Sequence, residues 1–236
     1  MIDKETASEK GLMAFLYSKS LFRNLSNPTT LIPVFLLCFI TGCAIFAPFI
    51  APTDPYDLEV VSIMDGRLAP GEKMFNGNVA WLGTDGAGRD VLSAIIFGLR
   101  TSLIVAISSA LIALGIGIFV GLLAAFYGGK IDSFLMRIVD IQLSFPAILV
   151  ALVLLALLGK GIDKVIIALA VVQWAIYART VRAAATVERR KEYIEAATCL
   201  GLSNRRIIWK HLLPNSISPL IVLATLQTAH SISIEA

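Results

Sequence analysis

The stretch Glu188–Pro214, ERRKEYIEAATCLGLSNRRIIWKHLLP, is a charged island between two strongly apolar runs, and its reading decides the fold. With Arg179 and Arg182 just ahead of it, it carries Arg189, Arg190, Lys191, Arg205, Arg206 and Lys210 against only Glu188, Glu192 and Glu195. Such a concentration of positive charge between apolar runs marks a loop on the cytoplasmic side of a membrane. Glu192, Glu195, Arg189 and Lys191 form a solvated helical surface, whereas Ile194, Ala197 and Thr198 share another face. Gly201 is placed to take the left-handed conformation that ends this helix, and Ser203 to cap the next through its hydroxyl. Pro214 then blocks continuation and sets the start of the last span. Helix, sharp turn, helix is the expected product, a compact projection suited to a groove on a partner protein. Anionic lipid holding an ordinary basic loop explains the charge equally well, but it gives no reason for Ala-Ala, a glycine at a fixed offset and a Leu-Leu-Pro end together.

Outward from the island, composition points the same way. Hydrophobic residues make up 57% of the 236, charged residues 16%, and the mean hydropathy is +0.80. The apolar residues come in long blocks, so the chain is read as polytopic and membrane-embedded. A net charge of +3 is too small to argue for nucleic acid. Cys38, Cys43 and Cys199 build no disulfide framework and are expected to be reduced packing residues, with no metal site.

Residues 1–30 mix Lys4, Lys10, Lys19 and Arg23 with Asp3, Glu5 and Glu9 and lack the pattern of a cleaved signal peptide. Phe15-Leu16-Tyr17 and Leu21-Phe22 suit an amphipathic helix on the inner membrane surface, and a frayed tail fits as well. The first span, 31–50, is long enough to cross a hydrocarbon core of about 30 Å. Residues 51–98 turn acidic and rich in Pro and Gly, as an outer loop should. At its end lies Trp81–Asp90, WLGTDGAGRD. The glycines suggest a phosphate loop, but the Lys-Ser/Thr ending and a preceding parallel-sheet pattern are missing. Tight turns with Asp85, Arg89 and Asp90 pairing locally are the expectation.

The core region, 99–236, continues with a second span over about Leu99–Phe126. Its Ala106, Ala110, Ala113, Gly117, Gly121 and Ala125 stack on one face and let another helix come close. Gly128-Gly129-Lys130 stops it. A third span starts near Phe134, with Arg137 and Asp140 three apart as a local ion pair or, more sharply, a gating contact, and Pro146 bends it before Leu158. A fourth runs over about Ile162–Ala178, with Trp174 and Tyr177 at headgroup level and Arg179 and Arg182 snorkelling to water. The last apolar run, Ile217–Ala236, carries His230 and Glu235 in its outer part, ionisable residues that are pathway candidates together with Asp140 and Pro146. Charge asymmetry puts the amino terminus and the island inside and the 51–98 loop outside.

Glu195-Ala196-Ala197, Gly201 and Leu213-Pro214 resemble the EAA motif of ATP-binding-cassette importer permeases. Gly83, Thr84, Asp85, Gly88, Arg89 and Asp90 are similar to the GTDxxGRD signature of the peptide type. Gly128-Gly129, Phe145-Pro146 and the His211–Asn215 sequence HLLPN extend the likeness, and His211, where the general motif has isoleucine, is similar to peptide-importer members. The chain thus resembles the C-type subunit of dipeptide, oligopeptide and nickel importers. The resemblance implies an all-α, polytopic helical bundle of the type I importer permease fold. Five of its six spans are recognisable here, so the last helix is expected to be missing. It implies that Glu195, Ala196, Ala197, Gly201, Ser203, His211 and Pro214 couple to a cytoplasmic ATPase. Two such subunits would bind ATP and Mg, with no cofactor and no catalytic residue in this chain. A homologous permease subunit, an extracytoplasmic binding protein and membrane lipid are the other implied partners, in a bacterial inner membrane. Peptides are the implied substrate, with nickel or another small solute as the alternative. A membrane-embedded hydrolase would need a nucleophile and base at matched depth, and no Gly-x-Ser-x-Gly or His-Glu-x-x-His pattern occurs. A channel or secondary carrier would call for a polar or broken helix at the midplane.

Overall fold

Helices account for nearly every apolar run in the computed structural model, which describes residues 28–57, 59 and 61–235. The proposed amphipathic segment around Phe15–Phe22 lies outside them. Two compact units meet between Arg100 and Thr101.

The first unit contains helix α1, Pro28–Ile45, and a short continuation, α2, Ala47–Ile50. Among its large side chains Phe35 and Leu37 are exposed, and only Ala44 of α1 is buried, as expected of a helix solvated by lipid. The described residues between 51 and 90 form a loop. A 3-10 turn, Ile63–Asp65, and the isolated antiparallel bridges of Lys73 with Val79 and Thr84 with Asp90 shape it. Helix α3, Val91–Tyr127, then begins eight residues before the start expected from hydropathy. The reason is a capping interaction. Asp90 is buried, and its carboxylate accepts from the amide of Ser93 at 2.9 Å and from its hydroxyl at 2.6 Å, satisfying a donor of the first turn.

In the second unit α3 continues to Tyr127, followed by α4, Gly129–Ser144, and α5, Ala147–Leu158. Helix α6 spans Ile162–Arg189. The island supplies α7, Glu192–Cys199, and α8, Asn204–Ile207, then a π-type turn, Ile208–Leu212, and α9, Leu213–Ser216. Helix α10 is Ser218–Glu235. Among the described residues, helices α1, α3 and α6 are each long and apolar enough to cross a membrane, and two bent pairs bring the total to as many as five.

The small-residue face of α3 does what its spacing predicts. Ala106, Ala110, Ala113 and Ala125 are buried. A Cβ on Gly117 would stand 2.3 Å from that of Tyr177, and one on Gly121 would stand 2.6 Å from the Ala178 carbonyl oxygen. The α3 and α6 backbones therefore touch. Leu122, Ala125, Val181, Ala185, Ile208, Leu212 and Leu220 close one core around this seam, and Val139, Ala175 and Ala178 another.

Four expectations are corrected. The third span is not one bent helix but two helices: α4 and α5 diverge by 88°. Phe145 takes an extended ψ of 141° because the residue before a proline is pushed out of the helical region, and Pro146 follows it at 126°. The fourth span continues eleven residues past Ala178. Arg179 and Arg182 are consequently inside a helix and ion-paired to α4 rather than snorkelling. Tyr177 is fully buried against Gly117, not at headgroup level. Pro214 does not end the helical path. It sits in the first turn of α9, where a missing N–H costs little. The widened turn just ahead makes room for its ring, and the 63° bend falls at Ile217, before Pro219.

Candidate functional site

The loop signature residues serve the loop's own architecture. Thr84 is buried, donates its hydroxyl to the Asp65 carbonyl and accepts from the Leu68 amide at 2.8 Å. Gly88, at φ +82°, would bring a Cβ within 1.9 Å of the Ser62 carbonyl oxygen, as Gly83, at φ +80°, would at 2.6 Å from that of Leu68. Neither position admits another residue without rebuilding the turn. Asp85 and Arg89 pair as expected, Nη2 to Oδ2 at 2.7 Å. Burial works to raise the Asp85 carboxyl, but the Arg89 and Ala87 amides and the Arg89 guanidinium outweigh it and hold the group below its ordinary 3.8. Asp90 does not join that pair; it caps α3 instead.

The island builds the projection its sequence predicts. Ile194 and Ala197 of α7 and Ile207 of α8 bury together, with Phe126 of α3 and Leu202 packed against them. Gly201 has φ +72°. Around it the Leu202 amide donates to Ala197 O at 3.2 Å and the Gly201 amide to Thr198 O at 3.0 Å, the paired bonds of a Schellman turn. Of the coupling candidates, Glu195, Ala196, Gly201 and Ser203 are exposed, and Pro214 is exposed further along. Ala197 faces the core, and His211 is half-buried. Ser203 stands at the N-cap of α8, but its hydroxyl makes no capping bond, so the sharp turn alone starts that helix.

Sequence reading missed two features here. Leu200 is 81% exposed at the tip of the projection, an apolar point amid charge. Beneath it lies a polar brace. Buried Glu188 accepts from the Tyr193 hydroxyl and pairs with Lys191 at 2.8 Å, and Asn215 Nδ2 donates to the Tyr193 oxygen at 3.0 Å and to His211 O at 2.8 Å. Burial, and then the hydrogen bond to Glu188, push the Tyr193 hydroxyl up to about 12. The brace joins α6, α7 and α9.

Of the pathway candidates, Asp140 pairs with Arg179 of α6, not with Arg137. Three residues along α6, Arg182 grips Asp132 with Nε to Oδ1 at 2.8 Å and Nη2 to Oδ2 at 2.5 Å, the bidentate geometry that suits guanidinium. Pro146 marks the break. His230 is exposed on α10 and lines a small cavity beside that break. Glu235 accepts from Ser102 Oγ at 2.6 Å, closing α10 onto α3. Among the described residues no three His, Cys, Asp or Glu side chains cluster as a metal site.

The described residues form an all-α set with membrane-length helices and a braced helix–turn–helix projection. The chain belongs to the family of binding-protein-dependent transport system inner membrane components, whose pattern matches residues 113–236. It is 39% identical over 197 residues to the di/tripeptide transport system permease protein DppC of Pseudomonas aeruginosa (strain UCBPP-PA14), covering 83% of this chain and 64% of that protein. To the dipeptide transport system permease protein DppC of Alkalihalophilus pseudofirmus it is 36% identical over 200 residues, 85% of this chain and 63% of the other. To the oligopeptide transport system permease protein OppC of Bacillus subtilis (strain 168) it is 31% identical over 234 residues, 99% and 73%. The chain thus spans under two thirds of the length of the first two.

Proposed function

We propose that this chain is a permease subunit of an ATP-driven peptide importer, forming half of the translocation pathway beside a homologous permease subunit. The projection is the observation that carries the reading. Ile194, Ala197 and Ile207 lock its apolar side to the core, while Glu195, Ala196 and Leu200 face outward. A rigid knob with one free face transmits force, where a flexible basic loop would only adhere. Its partners in this reading are two cytoplasmic subunits that bind ATP and Mg, together with an extracytoplasmic binding protein that delivers substrate. Membrane lipid surrounds the spans. The amino terminus and the island lie in the cytoplasm and residues 51–90 outside. Closing the ATPase pair changes how tightly the knob is held, and only that difference between states can move the helices.

Gly201→Val tests the reading. A Cβ at this position meets nothing within 4 Å, so the substitution acts through the backbone alone, at about 1–2 kcal/mol for a left-handed non-glycine residue. Membrane insertion should be unchanged, and ATP hydrolysis stimulated by loaded binding protein should fall to the basal rate. Undiminished stimulation in the assembled complex would overturn the coupling role. Co-purification of an ATPase, a sister permease and a binding protein tests the partners directly.

A further inference from the structure

Helix α4 has a non-helical joint at each end. Gly128 and Gly129 lead into it with φ +66° and +53°, and Phe145–Pro146 leaves it at the 88° break. By turning about these joints α4 moves as one rod, and what it moves with is α6. Val139 of α4 is fully buried with Ala175 and Ala178 of α6. That seam is apolar and non-directional, so it holds the two helices together without fixing α4 along its axis. Polar links fix it. Gln142 Nε2 donates to Val171 O at 3.2 Å, Arg179 pairs with Asp140, and Arg182 grips Asp132 at two points. The two aspartates are eight residues apart, about 12 Å along α4, whereas the two arginines are three apart, about 4.5 Å along α6. The ion pairs are therefore struts that do not run parallel, and two such struts resist sliding as well as separation.

As stability elements the two pairs do little, because Arg179 and Asp140 are exposed and Arg182 is half-exposed, and ion pairs open to solvent contribute little. What they supply is direction. A planar guanidinium on both oxygens of one carboxylate holds the angle between the two side chains as well as their distance. At its carboxyl end α6 is itself locked to the knob, through buried Glu188 and the Tyr193 hydroxyl. We propose that Arg179 and Arg182 are positioning residues of the importer: with Asp140 and Asp132 they make α4 follow α6, so that a displacement of the knob reaches the Phe145–Pro146 break. The path runs from knob to α6, through the struts to α4, and along α4 to the break. The proposal rests on the coupling reading of the knob and adds the residues that carry its motion across the bundle.

The test uses the assembled importer in proteoliposomes, with dialanine as the probe and its uptake per ATP hydrolysed as the readout, a ratio that a smaller amount of folded complex does not move. Asp132→Asn, which removes the charge and keeps the shape, should lower the ratio about tenfold, the effect of losing a hydrogen bond to a charged group, while ATP hydrolysis stimulated by loaded binding protein persists. Arg182→Lys, which keeps the charge but not the two-point grip, should lower it by a smaller factor. Exchanging the partners, Asp132→Arg with Arg182→Asp, should recover most of the loss, as expected of two residues that act on each other. A ratio at the wild-type value in Asp132→Asn and Arg182→Lys, including one kept there because uptake and hydrolysis fall together, overturns the struts and leaves the importer reading standing. So does an exchanged pair that recovers nothing. Gly201→Val tests the knob separately, since it removes the stimulation of hydrolysis that the strut variants keep. A wild-type complex that moves no dialanine overturns the peptide-importer reading, and the struts fall with it.

Discussion

Tyr193 bears on the projection more than its sequence suggests, because its hydroxyl is shared between a buried carboxylate and the asparagine that opens the path to the last helix. Tyr193→Phe should lower stability by about 1.5 kcal/mol, the lower end for a hydrogen bond to an ionised group, read as a drop of about 4 °C in thermal unfolding in detergent. Because its pKa is raised, the contribution of Tyr193 is complete below pH 10 and is lost only as pH rises toward 12. Asp85 behaves in the opposite sense. Its carboxyl is depressed in the folded loop, so its contribution is present above 3.8 and is lost as pH falls through the lower folded value. Hydrogen exchange at the Ala87 and Arg89 amides, both bonded to Asp85, should stay slow through mildly acidic pH and accelerate only below that range. Residue-scale partners were the least legible part of the sequence. Local spacing offered Asp140 only Arg137, whereas its true partner, Arg179, is 39 residues away.

Elements were far more legible, where a periodic pattern set one face. The α3 stripe predicted a close helix contact, and α6 supplies it through Gly117 and Gly121. Gly121→Leu should therefore destabilise the second unit by about 1–3 kcal/mol through overpacking, whereas Gly115→Leu, at a position with nothing within 4 Å, should be close to neutral. Thermal unfolding of both variants in the same detergent decides the matter. Proline announced a bend in the third span but not its size, since 88° depends on Phe145 also leaving the helical region.

At the scale of the whole molecule, hydropathy located the runs that form three membrane-length helices and two bent helix pairs, and the broken geometry of those pairs is a tertiary result. Charge alone supported the assignment of sides, and the native cysteines can test it. Cys199 is exposed on the projection. With Cys38 and Cys43 replaced by serine and no partner bound, a membrane-impermeant maleimide should label Cys199 in inverted vesicles and leave it unlabelled in spheroplasts. The reverse pattern would invert the topology. The π-type turn at Ile208–Leu212 also has a bearing on the entire bundle. Ile208, Leu212, Ser216 and Leu220 are all buried, a strict spacing of four, yet over those twelve residues a straight α-helix would rotate by about 120° away from the core. The widened turn and the bend at Ile217 absorb that drift. They act as a phase correction, so deleting a single residue within the turn would leave every side chain in place by type and turn the last helix by about 100°, presenting to its neighbours a face the sequence never intended for them.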